Sequence, residues 1–146
     1  MEVTGRQELK RTEQSPRPRV LLADDDEPMR ARAARALVVD YDVVGSVADG
    51  QSTLDAANVL HPDVVVLDIT MPHMSGLAVA SRLRAGGSRA AIVFLTVHDD
   101  EEFVRAARAV GAMGYVVKPR LVSDLAAAVR AALAGIPFVS DAAATA

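Results

Sequence analysis

The sequence predicts a doubly wound α/β fold, in which a parallel sheet of five strands carries helices on both faces. Short runs of Val, Leu and Ile are continuous rather than alternating with polar residues, which is typical of strands buried on both faces. Stretches with helical periodicity separate these runs, and the alternation repeats five times along the chain. Such a repeat favours parallel strands joined by right-handed crossovers.

The predicted strands and helices follow one another at regular intervals. The strands are expected at residues 20–23, 42–47, 64–67, 91–95 and 114–117. The helices are expected at residues 28–39, 51–60, 76–84, 100–110 and 122–134. Pro28 suits the first turn of a helix, while Gly111 and Gly135 each follow a predicted helix end. Ser123 and Asp124 are consistent with capping of the last helix.

Composition narrows the classes of function. The chain has 146 residues, of which 51% are hydrophobic and 24% charged, as in ordinary globular proteins. A net charge of −3 gives no basic footprint, so we expect no nucleic-acid binding by this chain itself. The absence of cysteine excludes disulfides and thiolate metal sites. No apolar run approaches the roughly 20 residues of a membrane span, and a cytoplasmic location without membrane attachment is predicted.

The chain divides into three predicted parts. Residues 1–18 are polar, lack a periodic apolar face and end in two prolines, so a disordered leader is expected there. Residues 19–135 are predicted to form one domain, since they hold all five β-α repeats. Residues 136–146 are predicted to be a C-terminal tail.

Polar side chains follow four of the five predicted strands. They are Asp24 and Asp25 after the first strand, Asp68 after the third, Thr96 after the fourth and Lys118 after the fifth. Because parallel strands bring their carboxyl ends to one edge, these groups are expected to converge. Clustered carboxylates suit a hard divalent cation such as Mg²⁺, and a lysine and a threonine suit phosphoryl oxygens. The sequence therefore predicts a site for an acyl phosphate on one carboxylate.

The same residues carry a resemblance to a known family. With "LDITMPHMSG" after the third strand and "KP" after the fifth, residues 19–135 resemble the receiver domain of bacterial two-component response regulators. The resemblance implies a flavodoxin-like fold with strand order 2-1-3-4-5. It implies that Asp68 is the phosphoacceptor and that Mg²⁺ or Mn²⁺ is bound by Asp24, Asp25, Asp68 and the carbonyl of Thr70.

The resemblance also implies how phosphorylation changes the conformation of the domain. Thr96 and Lys118 match the residues that contact the phosphoryl group, and Thr96 with Tyr115 matches the pair that switches conformation. Phosphorylation by a sensor histidine kinase would rearrange the face formed by the fourth helix, fifth strand and fifth helix, and would favour a homodimer. The domain would catalyse only its own phosphorylation and dephosphorylation. In this family the bond corresponding to Lys118–Pro119 is usually cis.

Several alternatives stay open at the level of sequence. The metal-binding pair is Asp24 and Asp25, which we favour because the apolar run ends at Ala23, or else Asp25 and Asp26. The stretch "SDLAAAVRAALAGIPFVSD" resembles the last helix of receivers in LuxR-type DNA-binding regulators, so the chain is a stand-alone receiver or the receiver of a longer regulator. A Mg-dependent aspartyl phosphatase is disfavoured, because the second acid of that class is replaced here by Thr70. A dinucleotide-binding domain lacks its G-x-G-x-x-G turn.

Overall fold

A parallel sheet of six strands forms the centre of the computed structural model, which describes residues 17–141. The strands are β1 (Arg19–Ala23), β2 (Asp42–Val47), β3 (Val64–Leu67), β4 (Ala91–Thr96), β5 (Gly114–Val117) and β6 (Phe138–Val139). Their order is β2-β1-β3-β4-β5-β6, and every neighbouring pair is parallel. The flavodoxin-like order predicted for the first five strands is confirmed.

Five α-helices connect the first five strands and follow the last of them. They are α1 (Glu27–Leu37), α2 (Gly50–Leu60), α3 (Gly76–Ala85), α4 (Glu101–Ala109) and α5 (Leu121–Leu133), the last preceded by a 3₁₀ turn at Lys118–Arg120. The predicted bounds agree to within two residues. The largest differences lie at the end of α1, where Val38 and Val39 are exposed and outside the helix, although their apolar character favoured a longer one.

The helices cover both faces of the sheet, as predicted. Successive strand residues point to opposite faces, so Leu21 packs with α2, α3 and α4, while Leu22 packs with α1 and α5. The burial of both faces explains why β1 and β3 read as continuous apolar runs. No helix within residues 17–141 is long and apolar enough to span a bilayer.

The sixth strand was not predicted. After α5 the chain turns at Gly135, which has a φ of 75°, and then runs parallel beside β5, pairing Phe138 with Gly114 and Val139 with Tyr115. Two paired residues between Pro137 and Ser140 are too few to show a strand pattern in the sequence. The predicted tail at 136–146 therefore contains a strand of the sheet, and residues 142–146 lie outside the described part.

Two further predictions concern the N-terminal leader and the Lys118–Pro119 bond. The predicted leader lies mostly outside the described residues, which begin at residue 17. The expected cis bond between Lys118 and Pro119 is wrong, because the described residues contain no cis peptide bond. Pro119 instead lies in the first turn of the 3₁₀ segment, where its fixed φ suits helical geometry.

Candidate functional site

Three carboxylates meet at the carboxyl edge of the sheet. Asp24 follows β1 and Asp68 follows β3, and because these strands are neighbours their side chains converge. Oxygen atoms of Asp24, Asp25 and Asp68 lie within 4.8 Å of one another. Asp24 and Asp68 are 5% and 4% exposed, whereas Asp25 is open to solvent. Two acids of the site, Asp24 and Asp68, are therefore buried, and the third, Asp25, is accessible to solvent.

A lysine lies between the two buried acids. The Lys118 ammonium donates a hydrogen bond to Asp68 Oδ2 at 3.1 Å and forms an ion pair with Asp24 Oδ2 at 2.9 Å. β5 delivers this residue to the site from two strands away in the sheet, since β4 separates β5 from β3. The predicted convergence of Asp24, Asp68 and Lys118 is thus seen in the structure.

Burial and charge act against each other in this cluster. Burial raises the pKa of Asp24, and the charge of Asp68 adds to this, although Lys118 and the Asp26 N–H oppose it. Burial alone would lower the pKa of Lys118, but its interactions with the Asp24 and Asp68 carboxylates outweigh burial and raise that pKa. The lysine is therefore charged, and the two buried carboxylates share its ammonium.

The donor set fits a hard divalent cation. Within residues 17–141, Asp24 Oδ2 is buried and accepts no well-aligned hydrogen bond, although the ammonium lies 2.9 Å away. Its lone pairs remain available to a cation, and the exposed Asp25 leaves room for the water ligands that Mg²⁺ retains. Oxygen ligands and excess negative charge are what Mg²⁺ or Mn²⁺ require.

The third consecutive aspartate has a different role. The Asp26 side chain caps α1 by accepting a hydrogen bond from the Met29 N–H at 3.4 Å. Its own N–H donates to Asp24 Oδ1 at 2.9 Å, which fixes the orientation of that carboxylate. We call Asp24, Asp25 and Asp68 the acidic cluster. Asp26 is not part of it and caps α1 instead.

An arginine of α1 supports the same loop. Arg30 of α1 donates through Nη1 to the Asp24 carbonyl at 2.6 Å and through Nε to Ser46 Oγ at 2.9 Å. These bonds tie the loop after β1 to β2. No motif in the sequence marks this contact, because it depends on how α1 packs against β2.

The loop after β3 holds Asp68 by close backbone packing. Gly76, at the start of α3, donates its N–H to the Ile69 carbonyl at 2.6 Å, and a Cβ there would collide with the Asp68 carbonyl. The Thr70 N–H donates to Asp68 Oδ1 at 3.4 Å. Thr70 thus lies next to the phosphoacceptor candidate, and glycine is required at position 76.

The two predicted switch residues are linked through His98. Thr96 is fully buried, and its hydroxyl accepts a hydrogen bond from the His98 N–H at 3.3 Å. Tyr115 is 2% exposed and donates its hydroxyl to the His98 carbonyl at 2.7 Å. The His98 ring stacks on Phe103 with centroids 4.1 Å apart and hydrogen-bonds Thr70 Oγ1 at 2.7 Å. One residue therefore contacts the loop after β3, the start of α4 and the aromatic of β5.

Sequence comparison identifies the family. The profile of the response regulator receiver domain matches residues 20–130, which is most of the chain. This chain belongs to the response regulator receiver family.

Among curated relatives, this receiver domain is 39% identical over 116 residues to the transcriptional regulatory protein PdtaR of Mycobacterium tuberculosis. The alignment covers 79% of the chain and 56% of PdtaR. The receiver domain is also 35% identical over 128 residues to the nitrate/nitrite response regulator NarL of Escherichia coli, covering 86% of the chain and 59% of NarL. The chain thus spans somewhat more than half the length of these two relatives.

Solved structures of response regulators have the same fold as this chain. The receiver domain of a NarL-type regulator from Mycobacterium tuberculosis superposes with a TM-score of 0.78 at 30% identity, covering 82% of this chain and 98% of that one. A LuxR-family response regulator from Aurantimonas superposes with a TM-score of 0.81 at 30% identity, covering 88% and 93%. Receiver domains typically bind Mg²⁺ at a cluster of acidic residues, and this receiver domain has such a cluster.

Proposed function

We propose that this receiver domain accepts a phosphoryl group on Asp68 from a partner histidine kinase in the cytoplasm. One observation carries the proposal: the Asp68 carboxylate is buried at the end of β3, receives the Lys118 ammonium at 3.1 Å and has Asp24 and Asp25 close by. A carboxylate that only stabilised the fold would not be placed among other acids, because like charges within a few ångströms repel.

The proposed reaction is a transfer between two covalent carriers. An Asp68 oxygen attacks the phosphorus of a phosphohistidine, a P–O bond forms, and the P–N bond breaks as the imidazole leaves with its electron pair. The product on this chain is an acyl phosphate. Lys118 binds one phosphoryl oxygen, and the Thr96 hydroxyl binds another after it turns from the His98 N–H. Mg²⁺, held by Asp24, Asp25, Asp68 and the Thr70 carbonyl, supplies positive charge that offsets the phosphoryl oxygens.

The proposed output is a change of the face formed by α4, β5 and α5. A phosphoryl group adds about −1.5 to −2 charges at neutral pH. When Thr96 turns toward it, the His98 segment loses one of its hydrogen bonds, and the Tyr115 hydroxyl is held by that same segment. A shift between two populations of this segment would alter the surface that carries the exposed Arg105 and Arg108. This surface is where we expect a phosphorylation-dependent homodimer.

Two wider questions bear on this proposal. The names of the relatives favour a receiver that belongs to a transcription regulator over one that acts alone. The aspartyl phosphatase alternative would need a carboxylate at position 70. The Thr70 hydroxyl found there is instead engaged with the His98 ring.

The decisive test is phosphorylation by a small donor. Incubated with acetyl phosphate and Mg²⁺, the wild type should gain one phosphoryl group by mass spectrometry, and Asp68→Asn should gain none. Asp55→Asn, an exposed aspartate of α2, is the matched control and should behave as wild type. Undiminished phosphorylation of Asp68→Asn would overturn the assignment. Beryllium fluoride should bind the wild type tightly only when Mg²⁺ is present.

A further inference from the structure

A third buried acid lies in the first turn of α5, away from Asp24 and Asp68. Asp124 is 7% exposed and accepts hydrogen bonds from Arg120 Nε at 3.0 Å and Nη2 at 3.3 Å. It also accepts from Ser123 Oγ at 3.0 Å and from Ser140 Oγ at 2.8 Å. We call Arg120, Asp124 and Ser140 the α5 lock. The sequence suggested only helix capping here.

The α5 lock reaches the chain on both sides of Lys118. On one side, Ser140 Oγ accepts a hydrogen bond from the N–H of Val117, the residue directly before Lys118, at 3.3 Å. On the other side, Arg120 closes the 3₁₀ turn that begins at Lys118. Ser140 is 1% exposed, and its N–H donates to the Tyr115 carbonyl at 2.9 Å. The turn that carries the lysine is therefore held at both ends by one carboxylate and one hydroxyl.

Attachment of β6 alone does not account for this polar arrangement. Phe138 packs against the core on one face of the sheet and Val139 against the core on the other, and both pair with β5. Burying an ionised carboxylate is costly unless its hydrogen bonds have good geometry, and apolar residues often replace such groups without loss of stability. Among residues 17–141, Arg120 and Ser123 donate to Asp124 from the segment after Lys118, and Ser140 donates from the end of β6, so the carboxylate ties the turn to the strand end.

We infer that Asp124 and Ser140 are positioning residues for Lys118, so that the segment after α5 contributes to the phosphoacceptor site. The inference rests on the proposed function, because it assigns Lys118 a part in phosphoryl transfer. The ammonium must remain near Asp24 and Asp68, at 2.9 and 3.1 Å, to meet a phosphoryl oxygen. Loosening the turn lowers the fraction of molecules in which it does so, and small misplacements of a catalytic group reduce rates strongly.

The experiment uses Ser140→Ala and Asp124→Asn in the full 146-residue chain. The initial rate of phosphorylation by acetyl phosphate should fall about fivefold in Ser140→Ala and more in Asp124→Asn, within the range for lost buried hydrogen bonds. Mg²⁺ affinity, measured by calorimetry, should stay equal or become tighter, because the ammonium competes less for the carboxylates. A loss of Mg²⁺ affinity that parallels the loss of rate would show a general loss of structure and would overturn the inference.

Tyr41→Phe is the matched control. It removes a hydrogen bond of 3.2 Å from the buried Tyr41 hydroxyl to the Ala126 carbonyl of α5, on a residue that precedes β2. Its phosphorylation rate should equal that of the wild type. A decrease in Tyr41→Phe as large as that in Ser140→Ala would show that any weakening of α5 suffices, and would overturn the inference.

A double-mutant cycle separates this inference from the proposed function. In a Lys118→Ala background, Ser140→Ala should cause little further slowing, because the residue it positions is gone. Slowing by the same factor in both backgrounds would overturn the positioning role while leaving Asp68 as phosphoacceptor. Failure of the wild type to be phosphorylated at Asp68 would instead reject the proposed function.

Discussion

Asp24 and Asp124 are almost equally buried and each lies beside a cation, yet their pKa values shift in opposite directions. Burial raises the pKa of Asp24, with the nearby Asp68 adding to the effect. The Arg120 hydrogen bonds lower the pKa of Asp124 in spite of its burial, and Ser140 and Ser123 act in the same direction. The α5 lock surrounds its acid with donors, whereas the acidic cluster surrounds its acid with other acids.

The opposite pKa shifts distinguish two roles: Asp124 stabilises the fold, whereas Asp24 is suited to binding a cation. The charged form of Asp124 is fully satisfied within the protein, so no added cation is needed. The charged form of Asp24 is disfavoured until further positive charge arrives. An acid whose pKa is raised by burial and further by a neighbouring acid, in an accessible cluster, is therefore a better indicator of a binding site than burial alone.

The largest expected effect comes from removing the shared cation. Lys118→Met leaves two buried carboxylates with no ammonium, and breaking a buried ion pair typically costs about 3–5 kcal/mol of unfolding free energy. We expect a loss near the lower end of that range in urea unfolding without divalent ions, because the lysine is partly exposed. Millimolar Mg²⁺ should restore part of it. A loss that Mg²⁺ does not change would mean that the cluster does not bind the metal through these acids.

The next effect tests the α5 lock. Asp124→Asn should lower the unfolding free energy by about 2 kcal/mol, since it weakens several hydrogen bonds to a buried charge. Unlike the loss in Lys118→Met, this loss should be the same with and without Mg²⁺. A strong recovery on adding Mg²⁺ would show that the two regions do not differ in the way proposed.

A smaller change of opposite sign is expected at the acidic cluster. Asp24→Asn keeps an acceptor for the Asp26 N–H but removes one of the crowded charges. Without divalent ions the variant should gain about 1 kcal/mol, or a few degrees in Tm, while Mg²⁺ binding weakens strongly. Asp55→Asn serves again as the control for loss of a surface charge. A destabilised Asp24→Asn would mean that the pair with Lys118 outweighs the repulsion.

The smallest expected effect is the pH dependence of the stability changes in Asp124→Asn and Asp24→Asn. A lowered pKa means that the Asp124 contribution is complete above its ordinary value of 3.8 and is lost as pH falls through the folded value. A raised pKa means that Asp24 favours folding below 3.8 and loses that contribution as pH rises through its folded value. In unfolding measured between about pH 2 and 7, the stability gained by Asp24→Asn should shrink toward zero as pH falls toward 3.8, whereas the stability lost by Asp124→Asn should shrink only below 3.8. Differences that stay constant over this range would refute the assignment.

The sequence predicted the five main strands well, because a strand buried on both faces has a continuous run of apolar residues. The runs at β1, β3 and β5 admit little but Val, Leu, Ile and a few small or aromatic residues, and the helices between them impose the parallel order. β6 left no such trace. Its two residues are held largely by Ser140 and by backbone pairing, which no periodicity reveals.

The acidic cluster was predictable for a related reason. Parallel topology brings strand ends together, so Asp24, Asp68 and Lys118 could be placed near one another from their positions after the strands. The α5 lock and the Arg30 contact were not predictable, because they join residues distant in sequence through particular side-chain directions. The contacts of His98 with Thr70 and Phe103 are of the same kind, since they join three separate loops and helices.

The short sixth strand has a consequence for handling the domain. β5 has the sequence GYVV, carries no charge and is buried, and β6 covers its outer side. A version ended at residue 135, the boundary that the sequence pattern suggests, would leave β5 as a bare edge with unpaired N–H and C=O groups. Apolar edges of this kind pair readily with other chains and aggregate. Versions prepared for solution work should therefore extend at least through Ser140.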